Sequence, residues 1–296
     1  MSGGREISLP NGTPGPDPGV PRGDRRSRIL GGGGGRSTWI AVLSTVVFFT
    51  VVGLLIVNSS GWPEVRRSFF DAEEFAYAFP EILAKFGRNV FIFSVAEVLV
   101  LLFGLLIAVL RSLPGPVFTP LRIMAAAYTD LFRGVPTILV IAMLGYGMPA
   151  LELRGLPDSD LFWAIIALTL VYSAYVAEVY RAGIESIHPS QIAAARSLGL
   201  TRGQALRHVV VPQAVRRVIP PLLNDFIGLQ KDSALIAFLG YTEALLRAQI
   251  IQAQDFNFTP YVALAVIYVA ITIPQARFVD WLIARERRKR QGGGAL

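Results

Sequence analysis

An all-α, polytopic helical bundle integral to a membrane is the fold class this sequence predicts. Three observations lead there. Hydrophobic residues make up 53% of the chain against 17% charged, with a mean hydropathy of +0.50, more apolar surface than a soluble protein of 296 residues needs. Long apolar stretches recur along the chain and carry few charges. The remaining charges are segregated, with arginines in alternate connecting segments and carboxylates gathered in the others.

Residues 1–36 are rich in Gly, Pro and Arg and cannot bury enough apolar surface to offset the entropy of ordering them, so they predict a disordered tail. The glycine run at 31–35 is not a phosphate-binding loop, because Arg36 follows where Gly-Lys-Ser/Thr is needed and no strand precedes it. Residues 39–57 are almost continuously apolar, and about 20 helical residues cross the hydrocarbon core. A long tail precedes this stretch and no small-residue cleavage site promptly follows it, so it reads as an uncleaved signal anchor. Further spans are expected near 90–110, 122–148, 161–181, 217–240 and 259–284. The third contains Pro136, Gly145 and Gly147, and the fifth begins with Pro220-Pro221. Both are expected to be kinked or broken, which a membrane tolerates only where neighbouring helices or water satisfy the freed backbone.

Six spans place both termini on one side. Arg22, Arg25, Arg26, Arg28 and Arg36 precede the first, and Arg285, Arg287, Arg288, Lys289 and Arg290 follow the last. Arg111 and Arg122 bracket one short loop, while Arg196, Arg202, Arg207, Arg216 and Arg217 fill a long one. The alternate loops hold Glu64, Asp71, Glu73, Glu74 and Glu81, then Glu152, Asp158 and Asp160, then Glu243 and Asp255. Positive loops stay inside, so both termini and the long basic loop are expected to be cytoplasmic.

The absence of cysteine excludes disulfides, thiolate zinc sites and cysteine nucleophiles. His188 and His208 are too few, and have no carboxylates at ligand spacing, for a metal centre. The net charge of +7 follows the loops of a membrane protein rather than forming a nucleic-acid stripe. No nucleophile elbow, His-Glu-x-x-His or comparable catalytic constellation is present, so an intramembrane enzyme is the weaker class.

The long basic loop is sharply punctuated. Pro189 suits the first turn of a short helix, since its missing N–H is one of that helix's orphan donors. Gly199 suits the left-handed position that closes it. Thr201 and Gln204 have capping-box spacing, which starts a second helix at once. Ala193-Ala194-Ala195 offers a small face for close approach, so the loop reads as a rigid helix made to dock into another protein.

On these residues the loop resembles the EAA loop of permease subunits of ATP-binding-cassette importers. Ala194, Ala195, Gly199 and Pro212 fall at that pattern's offsets, and Ser190 lies in the same turn as Pro189. Ala193 stands where the pattern calls for Glu, which removes one carboxylate able to pair with the ATPase. Phe132-Arg133-Gly134-Val135-Pro136-Thr137, the segment from Ser173 to Ile184, and Leu229-Gln230-Lys231-Asp232-Ser233-Ala234-Leu235 look like the polar amino acid branch. The resemblance covers roughly residues 85 to 285. It implies a five-helix permease core with one transmembrane helix added in front. The implied organisation is a cytoplasmic tail (1–36), a transmembrane helix and extracytoplasmic linker (37–84), a permease domain (85–285) and a second cytoplasmic tail (286–296). It also implies a bacterial inner membrane, a second permease subunit, identical or paralogous, ATPase subunits that bind the ATP and magnesium, an extracytoplasmic solute-binding protein, and no cofactor in this chain.

Ionisable groups at membrane depth usually face a cavity or a partner. Glu97, mid-span, is read either as a structural hydrogen bond to a neighbouring helix or as a pathway-lining group. Glu178 and Arg181 are three apart and share a helix face, as a structural pair or a support for the gate. Arg133 either holds the break at Pro136, lines the inner vestibule, or snorkels to the interface. Asn224, Asp225, Lys231 and Asp232 lie in or beside the broken fifth span, and the adjacent Lys231 and Asp232 are expected to find separate partners. Opposite charges there would suit a zwitterionic substrate. A secondary, ion-coupled transporter is the rival reading, since broken helices and midplane charges mark those proteins too. It would show internal repeats, which this chain lacks, and would have little use for a docking loop.

Overall fold

A computed structural model describes residues 36–292, so the expectation for the tail up to residue 35 lies outside it, as do residues 293–296. The chain forms two units, one ending at Trp62 and one beginning at Pro63. In the first, helix α1 (Arg36–Val57) presents apolar side chains all round, as a helix made for lipid does. Ser44 and Thr45 both donate to the Ala41 carbonyl, which satisfies these two hydroxyls within the helix.

In the second unit, α2 (Trp62–Phe69) is a short amphipathic helix that leads into α3 (Ala72–Ser112). Asp71 caps α3, its Oδ1 accepting from the N–H groups of Glu73 and Glu74 at 2.9 and 3.1 Å. Position 85, where the sequence places the start of the core, lies inside this one continuous helix. The chain then runs through α4 (Thr119–Gly134), α5 (Thr137–Ala150), α6 (Asp160–Glu185), α7 (Pro189–Ser197) and α8 (Arg202–Ala205). After a π-helical turn at Leu206–Val210 come α9 (Val211–Asp232), a 3-10 segment (Ser233–Leu239), α10 (Ala244–Asp255) and α11 (Thr259–Gly292). No strand occurs among the described residues. Among the described residues, four helical segments are long and apolar enough to cross a membrane alone, and two bent pairs bring the number to six if each pair is one span.

α3 and α6 are the central packed pair. Ile92, Phe93, Ala96 and Val100 of α3 meet Ala164, Ala167, Leu168 and Val171 of α6, and α5, α9 and the 3-10 segment close over them with Ile141, Leu229, Ile236 and Leu239. Lipid is as apolar as leucine, so close backbone approach rather than hydrophobic segregation holds such helices together, and small residues mark the contacts. Gly183 is the clearest case: a Cβ there would sit 2.1 Å from Cγ1 of Val218 on α9. A second cluster joins Ala78, Ile82 and Phe86 of α3 to Ala244, Ala248 and Ile251 of α10 and to Ala263, Leu264 and Ile267 of α11.

The expected break in the third span is present, with α4 and α5 meeting at 101°. Val135 and Pro136 make it: Pro136 forces the residue before it out of the helical region, and Val135 is extended at φ −99°, ψ 133°. Gly145 does not contribute to the break; it lies inside α5 against Leu239. The fifth span differs from expectation. α9 runs unbroken through Pro220-Pro221, and Val218, two residues before them, packs against Gly183 of α6. The bend, 52°, comes instead after the 3-10 segment, where Gly240 turns left-handed at φ +81°.

Candidate functional site

α7 is built as the sequence requires, with one addition. His188 is extended (φ −61°, ψ 135°), as a residue before proline prefers. It also caps the helix: its Nδ1 accepts from the Ser190 N–H at 3.2 Å and lies 2.7 Å from Ser190 Oγ. Pro189 occupies the first turn. At the other end Gly199 has φ +85°, its N–H bonds to the Arg196 carbonyl, and the Leu200 N–H reaches back to Ala195. Those two bonds form a Schellman closure. The Thr201–Gln204 capping box is fully made, at 2.8 and 3.3 Å. Pro212, which has no N–H to continue the ladder from α8, follows the π-helical turn and sits in the first turn of α9. Gln213 ties α9 back to α7 through Gln191 at 3.2 Å.

The alanine face divides. Ala193 and Ala194 are exposed, but Ala195 is 4% exposed and packs inward, so it positions the helix rather than presenting it. Sequence reasoning missed the apolar side chains that stand out beside them, Ile192 and, at the helix C-cap, Leu198, which is 84% exposed. A lone leucine in a polar loop is the signal that could have found the second. Capped at both ends, tied to α9 and bearing exposed apolar groups, this helix can act as a rigid handle.

The polar groups within the spans separate into three sets. Glu178 and Arg181 pair on one face of α6, and Arg111 of α3 joins them, Nη1 to Glu178 Oε2 at 2.7 Å and to Thr129 of α4 at 3.1 Å. This network ties α3, α4 and α6 together at the arginine-rich end. Arg111 lies 67 positions from its partner, so no local spacing signals it. Arg111→Ala should cost about 1 kcal/mol, the usual worth of a partly exposed charge-assisted bond. A double-mutant cycle with Glu178→Ala, read by thermal denaturation, checks it; additive losses would mean the two do not interact.

The second set lies at the centre. Glu97 is half-buried and has no hydrogen-bond partner among the described residues, so the structural bond offered as one reading is not made. It interacts electrostatically with Asp225 of α9, whose Oδ2 is buried without a partner. Asn224 points outward, exposed. Of Lys231 and Asp232, each expected to find its own partner, only Asp232 has one, accepting from the Tyr172 hydroxyl at 3.0 Å, while Lys231 is exposed without a hydrogen-bond or ion-pair partner among the described residues. Arg133, at the C-terminus of α4, lies over the Tyr175 ring at 5.8 Å, and the Tyr175 hydroxyl bonds to its carbonyl at 3.4 Å. These contacts tie the end of α4, beside the Pro136 elbow, to α6.

The third set was not anticipated. Glu243, counted by sequence among the carboxylates of an alternate loop, is fully buried and caps α10, accepting from the Leu245 and Leu246 N–H groups at 2.9 and 2.8 Å. Asn89 of α3, also fully buried, donates to Glu243 at 2.7 Å and accepts from the Ala244 N–H at 3.1 Å. Arg88 beside it donates to the Thr242 carbonyl at 2.6 Å. α3 therefore holds the bend of the broken fifth span from both sides.

Residues 82–288, which contain α4 to α10, the docking loop and all three polar sets, match the sequence profile of the "binding-protein-dependent transport system inner membrane component" family. The chain belongs to that family. Among its relatives, this transport component is 36% identical over 184 residues to the "probable glutamine ABC transporter permease protein GlnM" of Bacillus subtilis, covering 62% of this chain and 82% of that one. It is 31% identical over 196 residues to the "arginine transport system permease protein ArtQ" of the same organism, covering 66% and 87%. Among solved structures it is similar to one described as an amino acid ABC transporter with histidines, at 30% identity and a TM-score of 0.66 over 73% of this chain and 98% of the other. A chain of a structure described as the MetNI methionine ABC transporter, 20% identical with a TM-score of 0.52 over 68% of this chain and 95% of that one, shares the fold. The transport component is thus an ABC permease subunit embedded in a membrane.

Proposed function

We propose that this permease carries polar amino acids inward, and that its energy comes from ATP hydrolysed by separate subunits seated on α7. The observation that carries this reading is the helix itself: short, capped at both ends, tied to α9 and exposing Ile192 and Leu198. Two such subunits, identical or paralogous, would enclose the pathway. The ATPases would hold the ATP and magnesium and grip residues 189–198 through Pro189, Ser190, Ala194 and the Gly199 turn. A solute-binding protein would deliver cargo at the opposite face, and lipid would surround α1 and the outer helices. The arginine distribution supports a bacterial cytoplasmic membrane with both termini inside, a tail up to residue 36, a linker to 84, a permease core from 85 to 285 and a final tail beyond it. ATP-driven closure would move α7 as a rigid piece, and the packed helices would convert that shift into alternate opening.

Glutamine and arginine, the cargoes in the relatives' names, both carry a polar side chain beside the zwitterion. Glu97, Arg133, Asn224, Lys231 and Asp232 are the groups available to meet such a molecule, with Glu178 and Arg181 as gate support. Reconstituting the chain with its ATPase and binding protein in vesicles should give uptake that needs ATP and the binding protein together. Uphill uptake by the chain alone on an ion gradient would establish the secondary-transporter reading instead.

A further inference from the structure

A cavity of about 440 Å³ lies at the junction of α2 and α3. Arg66, Arg67 and Glu73 line it, with Phe70 and Pro63 as its apolar wall. Both signs of charge are therefore present in one concavity. None of Arg66, Arg67 and Glu73 forms an ion pair among the described residues. Asp71, the remaining carboxylate, is committed through Oδ1 to capping α3.

The fold sets the depth of this cavity. The candidate span of α11, Thr259–Arg285, has 27 residues, about 40 Å at 1.5 Å per residue, the thickness of a bilayer with its headgroup layers. Near its far end Trp281 lies under Arg285, with the guanidinium 5.2 Å from the ring, and stacks on Phe278. This is the aromatic and basic pairing of a membrane interface. At its start Phe258 stacks on Phe69 of α2 at 5.1 Å, and Phe258 and Asn257 bond to the carbonyls of Ser68 and Arg67. α2 is thus clamped to the end of a segment long and apolar enough to cross a bilayer, which suits it to headgroup level. Its side chains suit that level: Val65 and Phe69 are four apart on one face and exposed, while Arg66 leaves the flank of that face and Arg67 the opposite side.

The geometry points to a phospholipid headgroup site here, one selective for phosphatidylethanolamine. Arg66 and Arg67 take the phosphate through charge-assisted bonds. Glu73 takes the ammonium, whose N–H donors a choline headgroup lacks. Val65, Phe69 and Phe70 face the upper acyl region. A purely basic pair would favour any anionic lipid, and it is the carboxylate in the same cavity that favours a headgroup carrying both charges.

The test uses the full chain in nanodiscs of phosphatidylcholine, with and without an equal part of phosphatidylethanolamine. Hydrogen exchange in residues 63–73 should slow by about tenfold with phosphatidylethanolamine, while α7 is unaffected. Arg66→Gln with Arg67→Gln should remove the protection. Glu73→Gln should leave lipid retained in native mass spectra but erase the preference for ethanolamine over choline, a readout that survives if the arginine variant fails to fold. Equal protection in both lipids would overturn the assignment, as would protection that appears only when a binding protein is added.

Discussion

Replacing Gly199 by valine is expected to cut ATP-driven uptake by about tenfold or more, corresponding to a penalty of at least ~1.4 kcal/mol. Gly199 sits at φ +85°, and nothing lies within 4 Å of where a Cβ would stand. The cost is therefore in the backbone, not in collision. A left-handed conformation costs an ordinary residue about 1–2 kcal/mol, and a β-branched one more. The valine variant relieves this by giving up the two bonds that close α7, from Gly199 to Arg196 and from Leu200 to Ala195. The helix end then frays where Leu198 is presented. Binding-protein-stimulated ATP hydrolysis should fall with uptake, or continue without it if docking survives and coupling does not. Gly199→Asn, which tolerates the left-handed region, should keep most of the activity. Wild-type uptake in the valine variant would mean that the closure of α7 carries no force.

Removing the Glu243 carboxylate should produce the largest loss of stability. Glu243→Ala strands the Leu245 and Leu246 N–H groups, which are partly buried, and one donor of the fully buried Asn89. At about 1 kcal/mol for each lost bond the total is ~3 kcal/mol, and a transition temperature lower by roughly 6–12 °C follows for a domain of this size. Glu243→Gln keeps one acceptor and should recover part of the loss. Thermal denaturation of the purified chain, followed by tryptophan fluorescence, measures both. A transition that stays put in the alanine variant would show that the bend is held by packing alone.

Much of the architecture was legible because membranes impose a strict local rule: a span must satisfy its own backbone and show lipid an apolar face. Residues 39–57 and 161–181 satisfied that rule without help from any neighbour, and α1 and α6 formed there. Pro136 broke its span because its ring acts on the adjacent residue, a local effect. The docking loop was legible for the same reason. Pro189, Gly199 and the Thr201–Gln204 box each act within four positions, and each appears in place. Pro220-Pro221 carried the same local warning, yet α9 continues through them, on a helix whose Val218 packs against Gly183, thirty-five positions earlier in the chain. Ala195 looked like its two neighbours in sequence, and only the packing beneath the loop turned it inward.

What the sequence determined alone was the membrane class, the positions of most spans and the caps of α7, all of which follow from forces acting along a few turns of chain. What only the tertiary structure decided was which charges meet. Arg111 finds Glu178 across 67 residues, and Asn89 finds Glu243 across 154. A buried carboxylate and a solvated one are the same letter in a sequence. The difference lies in desolvation and in the donors that a distant helix brings to the oxygen, and those exist only once the helices have packed.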